Sequence, residues 1–212
     1  MPTEVEAKFS ADGPGPLSLL ASEPRLGGAT LGVARTVTEV DLYLDTSGDR
    51  LAAALWACRL RTRGREIRVS LKGPAETAIG EWLHRRPELE GPATDSLDPS
   101  DWPWSEARVF LDELRQGEPL EQRLELRQRR TERSVTVEET AFGVLSLDAV
   151  EVRSDGHELG DLFVVEVELI GEGEADAVRH LHGLAEALEE RPGLTADPRT
   201  KLEHALELIG SR

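Results

Sequence analysis

The sequence predicts an α+β, mainly β fold: an eight-stranded antiparallel β-barrel with helices packed against its outside. Eight segments alternate polar and apolar residues with a period of two, which is typical of strands whose two faces meet different surroundings. Short connections between several of these segments favour antiparallel hairpins. Because eight strands are enough to close a sheet on itself, a barrel would leave no exposed sheet edge.

The predicted elements extend over most of the chain. The predicted strands are Thr3–Phe9, Thr36–Leu44, Leu55–Arg63, Glu66–Lys72, Ile79–Glu90, Glu121–Val137, Phe142–Val152 and Leu162–Ile170. Apolar residues at helical spacing predict helices at Ser18–Leu26, Ser105–Gln116, Ala175–Glu190 and Thr200–Ile209. Residues 91–101, rich in Pro, Asp and Ser, are a candidate linker, but strands are predicted on both sides of it. We therefore expect one sheet and a single domain over residues 1–212.

The charge balance excludes several classes of partner. The chain has 212 residues, with 25 Lys and Arg against 41 Asp and Glu, which gives a formal net charge of −16. No overall positive field exists to attract nucleic acid or an anionic membrane. No apolar run reaches the roughly 18 residues of a membrane span, no signal peptide is predicted, and the one cysteine, Cys58, excludes an internal disulfide framework. We expect a cytoplasmic protein that binds neither nucleic acid nor a membrane.

The charges are unevenly distributed along the chain. Residues 55–90 contain eight basic and five acidic residues, a net charge of +3, whereas residues 134–212 contain six basic and 18 acidic residues, a net charge of −12. The middle of the chain is therefore a cationic cluster within an acidic protein. Either these arginines form a solvated face, or they meet in space around an anion.

Charged side chains occupy alternate positions in at least five of the predicted strands. In the first strand, Glu4, Glu6 and Lys8 share one face, while Val5 and Ala7 share the other. The corresponding charged positions of later strands are Arg59, Arg61 and Arg63, then Lys72, Arg86 and Glu88, Arg127 and Arg129, Asp148, and Glu166 and Glu168. One interpretation is an ordinary sheet with its charged face in water. However, acids dominate the first and last strands and arginines the strands between, whereas solvated faces usually pair opposite charges across neighbouring strands.

A barrel with its charged faces inward accounts for this segregation. Guanidinium groups match phosphate oxygens bidentately, and paired glutamates supply the hard oxygen ligands that Mg²⁺ or Mn²⁺ prefer. The interior would then be a wet site for a polyanion bound together with a divalent metal, and the helices would cover the apolar outer faces. The net negative charge is compatible with this site, because the local field inside a cleft can oppose the field of the whole protein.

These residues resemble the CYTH superfamily, the triphosphate tunnel metalloenzymes, over nearly the whole chain. Residues 4–8 match the family's ExExK signature, and residues 43–46, Tyr-Leu-Asp-Thr, are similar to its Y-x-D-T segment. The further matches are Leu51, Arg59 and Arg61, Leu71 and Lys72, Arg86 and Glu88, Arg127 and Arg129, Asp148, Glu166 and Glu168, and Thr200 and Lys201. The resemblance implies an eight-stranded antiparallel tunnel with helices outside, and activity on triphosphates with a divalent metal.

The resemblance also implies roles for the matching residues. The metal ligands would be Glu4, Glu6, Glu166 and Glu168, with Glu88 and Asp148 as looser matches. The phosphate-binding cations would be Lys8, Arg59, Arg61, Lys72, Arg127, Arg129 and Lys201, with Arg86 as a looser match. Glu6, Lys8 and Tyr43 are the candidate catalytic residues, and a proton-transfer role for Lys8 requires a lowered pKa. Pro87 removes a ladder donor between Arg86 and Glu88 and predicts a local irregularity.

The expected function is hydrolysis of a small triphosphate, either inorganic tripolyphosphate or thiamine triphosphate, with Mg²⁺ or Mn²⁺ and by a monomer or a homodimer. The first alternative is a class IV type adenylate cyclase, which shares the tunnel but needs an adenine pocket and attack by the 3′-hydroxyl on the α-phosphorus. The second alternative is a non-catalytic binder of polyphosphate or nucleotide. The four glutamates argue against a pure binder, because carboxylates near a bound polyanion weaken its binding.

Overall fold

The computed structural model describes residues 1–77, 82–171 and 175–210, in which strands predominate over helices. The strands are β1 (Thr3–Ala11), β2 (Arg25–Leu26), β3 (Ala29–Leu31), β4 (Arg35–Thr46), β5 (Ala57–Arg63), β6 (Glu66–Lys72), β7 (Glu76–Thr77), β8 (Leu83–Pro92), β9 (Leu120–Val137), β10 (Thr140–Ser154), β11 (His157–Leu169) and β12 (Leu194–Ala196). The helices are α1 (Pro14–Ser22), α2 (Arg50–Ala53), α3 (Glu106–Arg115), α4 (Ala175–Glu189) and α5 (Lys201–Gly210), with a 3₁₀ helix at Pro99–Asp101. None of the helices described is long and apolar enough to cross a bilayer.

Eight of these strands form a closed antiparallel barrel. In the order β10–β11–β1–β8–β6–β5–β4–β9, each strand is hydrogen-bonded to the next, and β9 pairs back with β10. The short strands β2, β3, β7 and β12 extend this sheet at its margins. The predicted fold class, an eight-stranded antiparallel barrel with helices outside, is confirmed.

Most predicted boundaries lie within a few residues of the observed ones. The prediction for Glu66–Lys72 coincides with β6. The strand predicted at Ile79–Glu90 corresponds to β8 from Leu83 onward, and residues 79–81 lie outside the described residues. The candidate linker at residues 91–101 connects two barrel strands by way of α3. That helix begins where the Ser105 hydroxyl accepts a hydrogen bond from the Arg108 amide, at 3.1 Å.

The first predicted helix, Ser18–Leu26, lies too far along the chain. The observed α1 runs from Pro14 to Ser22, and Arg25–Leu26 forms β2 instead. Proline costs no hydrogen bond in the first turn of a helix, so Pro14 and Pro16 can start α1. At the other end, the residue before a proline is disfavoured in helical conformation, and Glu23 is accordingly extended before Pro24, which ends the helix.

Helices cover the outer faces of the barrel on two sides. On one side, Val5, Ala7 and Phe9 of β1 are fully buried in a cluster that includes leucines of α1 and α4. On another side, Cys58 and Leu60 of β5 pack in a second cluster with residues of α3. Burying one such large apolar side chain stabilises the fold by about 1.5–3 kcal/mol. The apolar alternate positions therefore face the helices, and the charged positions between them face the barrel interior.

One end of the barrel interior departs from this rule. Leu124 and Leu126 of β9 are fully buried against Val150 and Val152 of β10, together with Ala205 of α5. Because side chains alternate along a strand, these residues lie on the same, inward face as Gln128 and Asp148. The interior is therefore apolar beneath α5 and charged elsewhere.

Candidate active site

A cavity of about 650 Å³ lies within the barrel and is lined by as many acidic as cationic side chains. The acids are Glu4, Glu6, Glu88, Glu90, Glu166, Glu168 and Glu203, and the cations are Lys8, Arg59, Arg61, Lys72, Arg86, Arg130 and Lys201. Tyr43 also lines the cavity, and apolar residues such as Leu55 and Pro74 complete its wall. A lining of balanced charge suits a ligand whose own charges are balanced, such as a polyanion that carries divalent cations.

Three neighbouring strands assemble the centre of this cavity. Glu6 and Lys8 of β1 lie opposite Glu168 and Glu166 of β11, respectively. On the other side of β1, Glu4 lies opposite Arg86 of β8. The alternate spacing seen in the sequence thus places carboxylates from two strands beside each other, with cations next to them. β8 continues through Pro87, and both Arg86 and Glu88 line the cavity.

Two of the carboxylates are neutralised within the protein. Glu4 accepts hydrogen bonds from Lys72 Nζ at 2.5 Å and from Arg86 Nε at 2.7 Å. Burial alone would raise the pKa of Glu4, but Lys72 and Arg86 lower it to about 2. Glu166 accepts hydrogen bonds from Lys201 Nζ at 2.7 Å and Arg130 Nη2 at 3.0 Å, and against the effect of burial these cations hold its pKa well below the usual value.

The charges of Glu6 and Glu168 are compensated only in part by the cations of the cavity. Burial raises the pKa of Glu6 to about 7, and the nearby Glu4 and Glu166 carboxylates add to this rise. Arg86 Nη2, 3.0 Å from Glu6, offsets it only in part. The pKa of Glu168 is also raised to about 7, by partial desolvation and by the Glu4 carboxylate. The Glu168 side chain is more exposed than that of Glu6, and water therefore weakens its electrostatic interaction with the neighbouring charges.

This donor set fits a hard divalent cation. Within the described residues, no group of three acidic, histidine or cysteine side chains is close enough to hold a metal ion alone. Glu6 and Glu168, directly opposite each other on β1 and β11, supply two carboxylates whose charge the cations of the cavity compensate only in part. Mg²⁺ is commonly held by one or two carboxylates together with substrate phosphate oxygens and water. Glu6 and Glu168 are therefore the strongest candidates for metal ligands.

The predicted metal ligand Asp148 is contradicted by its surroundings. Asp148 is fully buried and is not part of the cavity wall. Its two oxygens accept hydrogen bonds from Arg130 at 2.8 and 2.7 Å, and one also accepts from Lys201 Nζ at 2.6 Å. Burial would raise the pKa of Asp148, but Lys201 and Arg130 lower it. Asp148 therefore neutralises two cations behind the cavity. Glu88 does line the cavity, where it accepts a hydrogen bond from Ser70 at 2.6 Å.

The predicted phosphate ligands Arg127 and Arg129 are on the wrong face of β9. Both are exposed on the outside of the barrel, and Arg127 Nε donates to Glu125 at 2.6 Å. The prediction assumed that apolar residues of this strand face outward, but Leu124 and Leu126 face inward beneath α5. The inward arginine of this strand is Arg130, which the sequence analysis missed.

A buried acid that was also missed orients the arginines of β5. Asp41 of β4 is fully buried and accepts two hydrogen bonds from Arg61, each at 2.7 Å, while Arg59 Nη1 is 3.6 Å away. Although burial opposes it, Arg59 and Arg61 lower the pKa of Asp41 to about 2. The alternation Glu39, Asp41, Tyr43 in the predicted strand was the available signal. In the described part of the chain, the buried Arg59 Nε has no partner, so Arg59 retains donor capacity for a ligand.

Lys8 is nearly completely buried beside the candidate metal ligands. Its Nζ donates a hydrogen bond to the backbone carbonyl of Arg199, and it forms no ion pair with any described residue. Burial lowers the pKa of Lys8 to about 8, against the opposing effect of Glu166 and Glu6. The lowered pKa that a proton-transfer role requires is therefore present.

In the absence of metal, the free energy of unfolding is expected to fall as the pH rises from about 5 to about 8. The folded-state pKa of Glu6 is about 7, above its ordinary value of 4.5, so folding favours the protonated carboxyl. This stabilisation is complete below pH 4.5 and is lost as the pH rises through 7, at up to about 1.4 kcal/mol per pH unit. Denaturant unfolding in a chelator should show a shallower decline for Glu6→Gln, and equal slopes would contradict the raised pKa.

Comparison with known proteins agrees with this architecture. The CYTH domain profile matches residues 2–204. The Hippeastrum protein HpAC1, described as having a dominant triphosphatase activity, is 22% identical, with a TM-score of 0.70 over 96% of this chain and 95% of that one. A candidate adenylate cyclase from Bacillus halodurans is 18% identical, with a TM-score of 0.59 over 96% and 98% of the two chains. The PH1819 protein of Pyrococcus horikoshii is also 18% identical, with a TM-score of 0.59 over 95% and 98%.

Among curated proteins, no match to this chain is found. The solved structures, all below 25% identity, support the tunnel fold, whereas the profile covers nearly every barrel strand and the start of α5. With its ExExK strand at the centre of the cavity, the chain belongs to the CYTH domain family.

Proposed function

We propose that the protein is a metal-dependent triphosphatase that hydrolyses a small triphosphate, inorganic tripolyphosphate or thiamine triphosphate, inside the barrel. The observation that carries this proposal is the contrast between the carboxylates of the cavity. Glu4 and Glu166 are neutralised by cations, whereas burial and neighbouring acids raise the pKa of Glu6 and of Glu168 to about 7, because the cations near these two carboxylates compensate their charge only in part. A site for an anion alone gains nothing from such carboxylates, but a site for an anion with Mg²⁺ or Mn²⁺ requires them.

The residues of the chain divide the work of binding and charge stabilisation. Glu6 and Glu168 would hold the divalent cation, which when bound neutralises phosphate charge and polarises the phosphoryl group. Arg59 and Arg61, oriented by Asp41, bind phosphate oxygens from the β5 side of the cavity. Lys8 supplies ammonium donors from β1. Such preorganised donors stabilise the charge that develops on the transferred and leaving groups.

The reaction is phosphoryl transfer to water. A water oxygen forms a bond to the terminal phosphorus, the bridging P–O bond breaks, and the products are phosphate and the shortened phosphate compound. The electron pair of the broken bond stays on the leaving oxygen, and the water proton passes to the released phosphate species. The cations around the cavity stabilise the leaving group while this bond breaks.

The cyclase alternative is favoured by one observation, the structural similarity to the candidate adenylate cyclase from Bacillus halodurans. In that reaction, the 3′-hydroxyl of ATP attacks the α-phosphorus and pyrophosphate leaves. The same cavity would serve, so the products decide between the two reactions. In either case, we expect the substrate to be a small molecule, because the net charge of −16 disfavours nucleic acid and anionic membranes. We also expect a cytoplasmic monomer or homodimer.

The test is a panel of tripolyphosphate, thiamine triphosphate and ATP with Mg²⁺ or Mn²⁺, with phosphate, pyrophosphate and cyclic AMP measured separately. Phosphate release that depends on added metal supports the proposal. Arg59→Ala should lower kcat/KM by about 10²-fold or more, since it removes a preorganised donor. The matched control is Arg129→Ala, on the outer face of β9, which should remain within about twofold of wild type. Pyrophosphate with cyclic AMP, or no turnover of any compound, would contradict hydrolysis.

A further inference from the structure

The turn between β12 and α5 passes directly over Lys8. The Asp197 amide donates a hydrogen bond to the Lys8 carbonyl at 3.1 Å, so the turn begins on the backbone of β1. Two residues later, the carbonyl of Arg199 accepts a hydrogen bond from Lys8 Nζ. The turn therefore contacts Lys8 twice, once at its backbone and once at its charged end.

Asp197 fixes the shape of this turn from outside the cavity. Its side chain is nearly fully buried and is not part of the cavity wall. Oδ1 accepts a hydrogen bond from the Arg199 amide at 3.0 Å, and Oδ2 accepts one from His204 Nε2 of α5 at 2.5 Å. The Asp197 carbonyl accepts a further hydrogen bond from His84 Nε2 of β8 at 2.9 Å. The Arg199 amide belongs to the peptide unit before the Arg199 carbonyl, so Asp197 fixes the backbone on the N-terminal side of Arg199. The carbonyl that meets Lys8 lies in the next unit, whose Thr200 amide donates a hydrogen bond to Glu203 Oε2 at 2.6 Å.

The position of the Arg199 carbonyl determines what Lys8 can bind. An ammonium group has three donors, and one of them is used by this carbonyl. Glu6 and Glu166 both attract Lys8 electrostatically, yet within the described residues Lys8 forms no ion pair. The carbonyl therefore holds the ammonium away from the carboxylates and leaves its other two donors for the cavity.

We propose that Asp197, supported by His204, is a positioning residue that holds Lys8 ready for substrate phosphate. This inference rests on the proposed function, because it assigns phosphate as the ligand of Lys8. Without the Asp197 carboxylate, the backbone on the N-terminal side of Arg199 is no longer held, so the Arg199 carbonyl can shift and the Lys8 ammonium is free to pair with Glu6 or Glu166. Such a pair would remove a phosphate donor and also neutralise a carboxylate that the metal requires.

The test combines substitutions of Asp197 and Lys8. Binding is measured by calorimetry with Mg²⁺ and a tripolyphosphate analogue whose bridging oxygens are replaced by methylene groups, so that no turnover occurs. Lys8→Met should weaken binding about ten- to a hundredfold, the value of a charge-assisted hydrogen bond. Asp197→Ala should weaken it to a similar degree, and the double variant should bind no more weakly than Lys8→Met alone. The same non-additive pattern is expected for kcat/KM of tripolyphosphate hydrolysis.

Matched variants separate positioning from general stability. Asp197→Asn keeps an acceptor for the Arg199 amide and should restore binding to within about threefold of wild type. His204→Ala removes only the contact at Oδ2 and keeps the test open if Asp197→Ala does not fold. Glu207→Gln, which changes an exposed ion pair with the Arg199 side chain, is the control on the same helix and should bind normally.

Three outcomes would overturn the inference. One is unchanged affinity in both Asp197→Ala and His204→Ala, although Lys8→Met binds weakly. Another is a double variant whose loss equals the product of the two single losses, because independent effects multiply. In either case the proposed function would stand. If wild-type protein neither binds the analogue nor hydrolyses tripolyphosphate, the proposed function fails, and the inference fails with it.

Discussion

Glu6→Ala is expected to reduce metal-dependent turnover by at least about 10²-fold while the barrel remains folded. Glu6 lies at the centre of the cavity, opposite Glu168, and its pKa is raised to about 7 because burial and the neighbouring acids outweigh the effect of Arg86. Its loss would remove a metal ligand and leave the phosphate-binding cations in place. The fold should tolerate the change, because Arg86 keeps its hydrogen bond to Glu4 and the repulsion among the acids is reduced. Steady-state kinetics at saturating Mg²⁺, with calorimetric titration of the metal, would measure both effects.

The matched control for this prediction is Glu125→Gln. Glu125 is also a glutamate on a barrel strand, but it lies on the outer face of β9, where it pairs with Arg127. We expect its kinetics and its metal affinity to match wild type. If Glu6→Ala retained wild-type kcat/KM and metal affinity, Glu6 would not be a metal ligand, and another carboxylate of the cavity would have to hold the metal.

The sequence predicted the fold well because the strands that matter most alternate cleanly. In β1, the apolar residues Val5 and Ala7 are fully buried beneath the helices, and Glu4, Glu6 and Lys8 face the cavity between them. Hydrophobic burial fixes the register of such a strand, since a shift of one residue would exchange the two faces. The convergence of these side chains with those of β5, β8 and β11 follows once the sheet closes.

The error on β9 has a physical cause, the packing of α5. Apolar residues were assumed to face outward on every strand, but α5 buries Leu124 and Val150 within one end of the barrel. On β9 the inward positions are therefore occupied by Gln128 and Arg130, and the predicted inward residues Arg127 and Arg129 face outward. Alternation within one strand cannot reveal which face a distant helix will cover. Asp148 was placed on the correct face, but its ion pairs with Arg130 and Lys201 depend on three separate elements.

Asp41 illustrates a limit of a different kind. Its strand was predicted, and its position on the same face as Tyr43 follows from the period of two. However, the sequence does not show whether an inward acid meets a metal or an arginine. The distances of 2.7 Å to Arg61 and 3.6 Å to Arg59 answer that question for Asp41. In the same way, distances to Arg86 distinguish two glutamates of the cavity: Arg86 lies 2.7 Å from Glu4 and 3.0 Å from Glu6.

Asp148→Ala is expected to destabilise the protein by about 3–5 kcal/mol at neutral pH, the usual cost of removing one partner from a buried ion pair. Asp148 is fully buried, and its carboxylate is shared by Arg130 and Lys201. After the substitution, Lys201 would keep its contact with Glu166, and Arg130 would keep Glu166 and the more distant Glu39 carboxylate at 3.8 Å, so each of the two buried cations would lose its doubly shared acid. Denaturant unfolding at pH 7 in a chelator measures the loss without any contribution from bound metal.

The same variant separates the two roles that sequence and structure assign to Asp148. If Asp148 were a metal ligand like Glu6, its removal would lower the affinity for Mg²⁺ and would leave the free energy of unfolding unchanged or raised. The ion-pair role instead requires a large loss of stability, with the affinity for Mg²⁺ nearly preserved under conditions where the variant is folded. Asp161→Ala, an exposed acid on β11, is the control and should unfold like wild type. Wild-type stability together with weakened metal binding in Asp148→Ala would restore the metal-ligand assignment, because only a carboxylate that reaches the cavity could produce that combination.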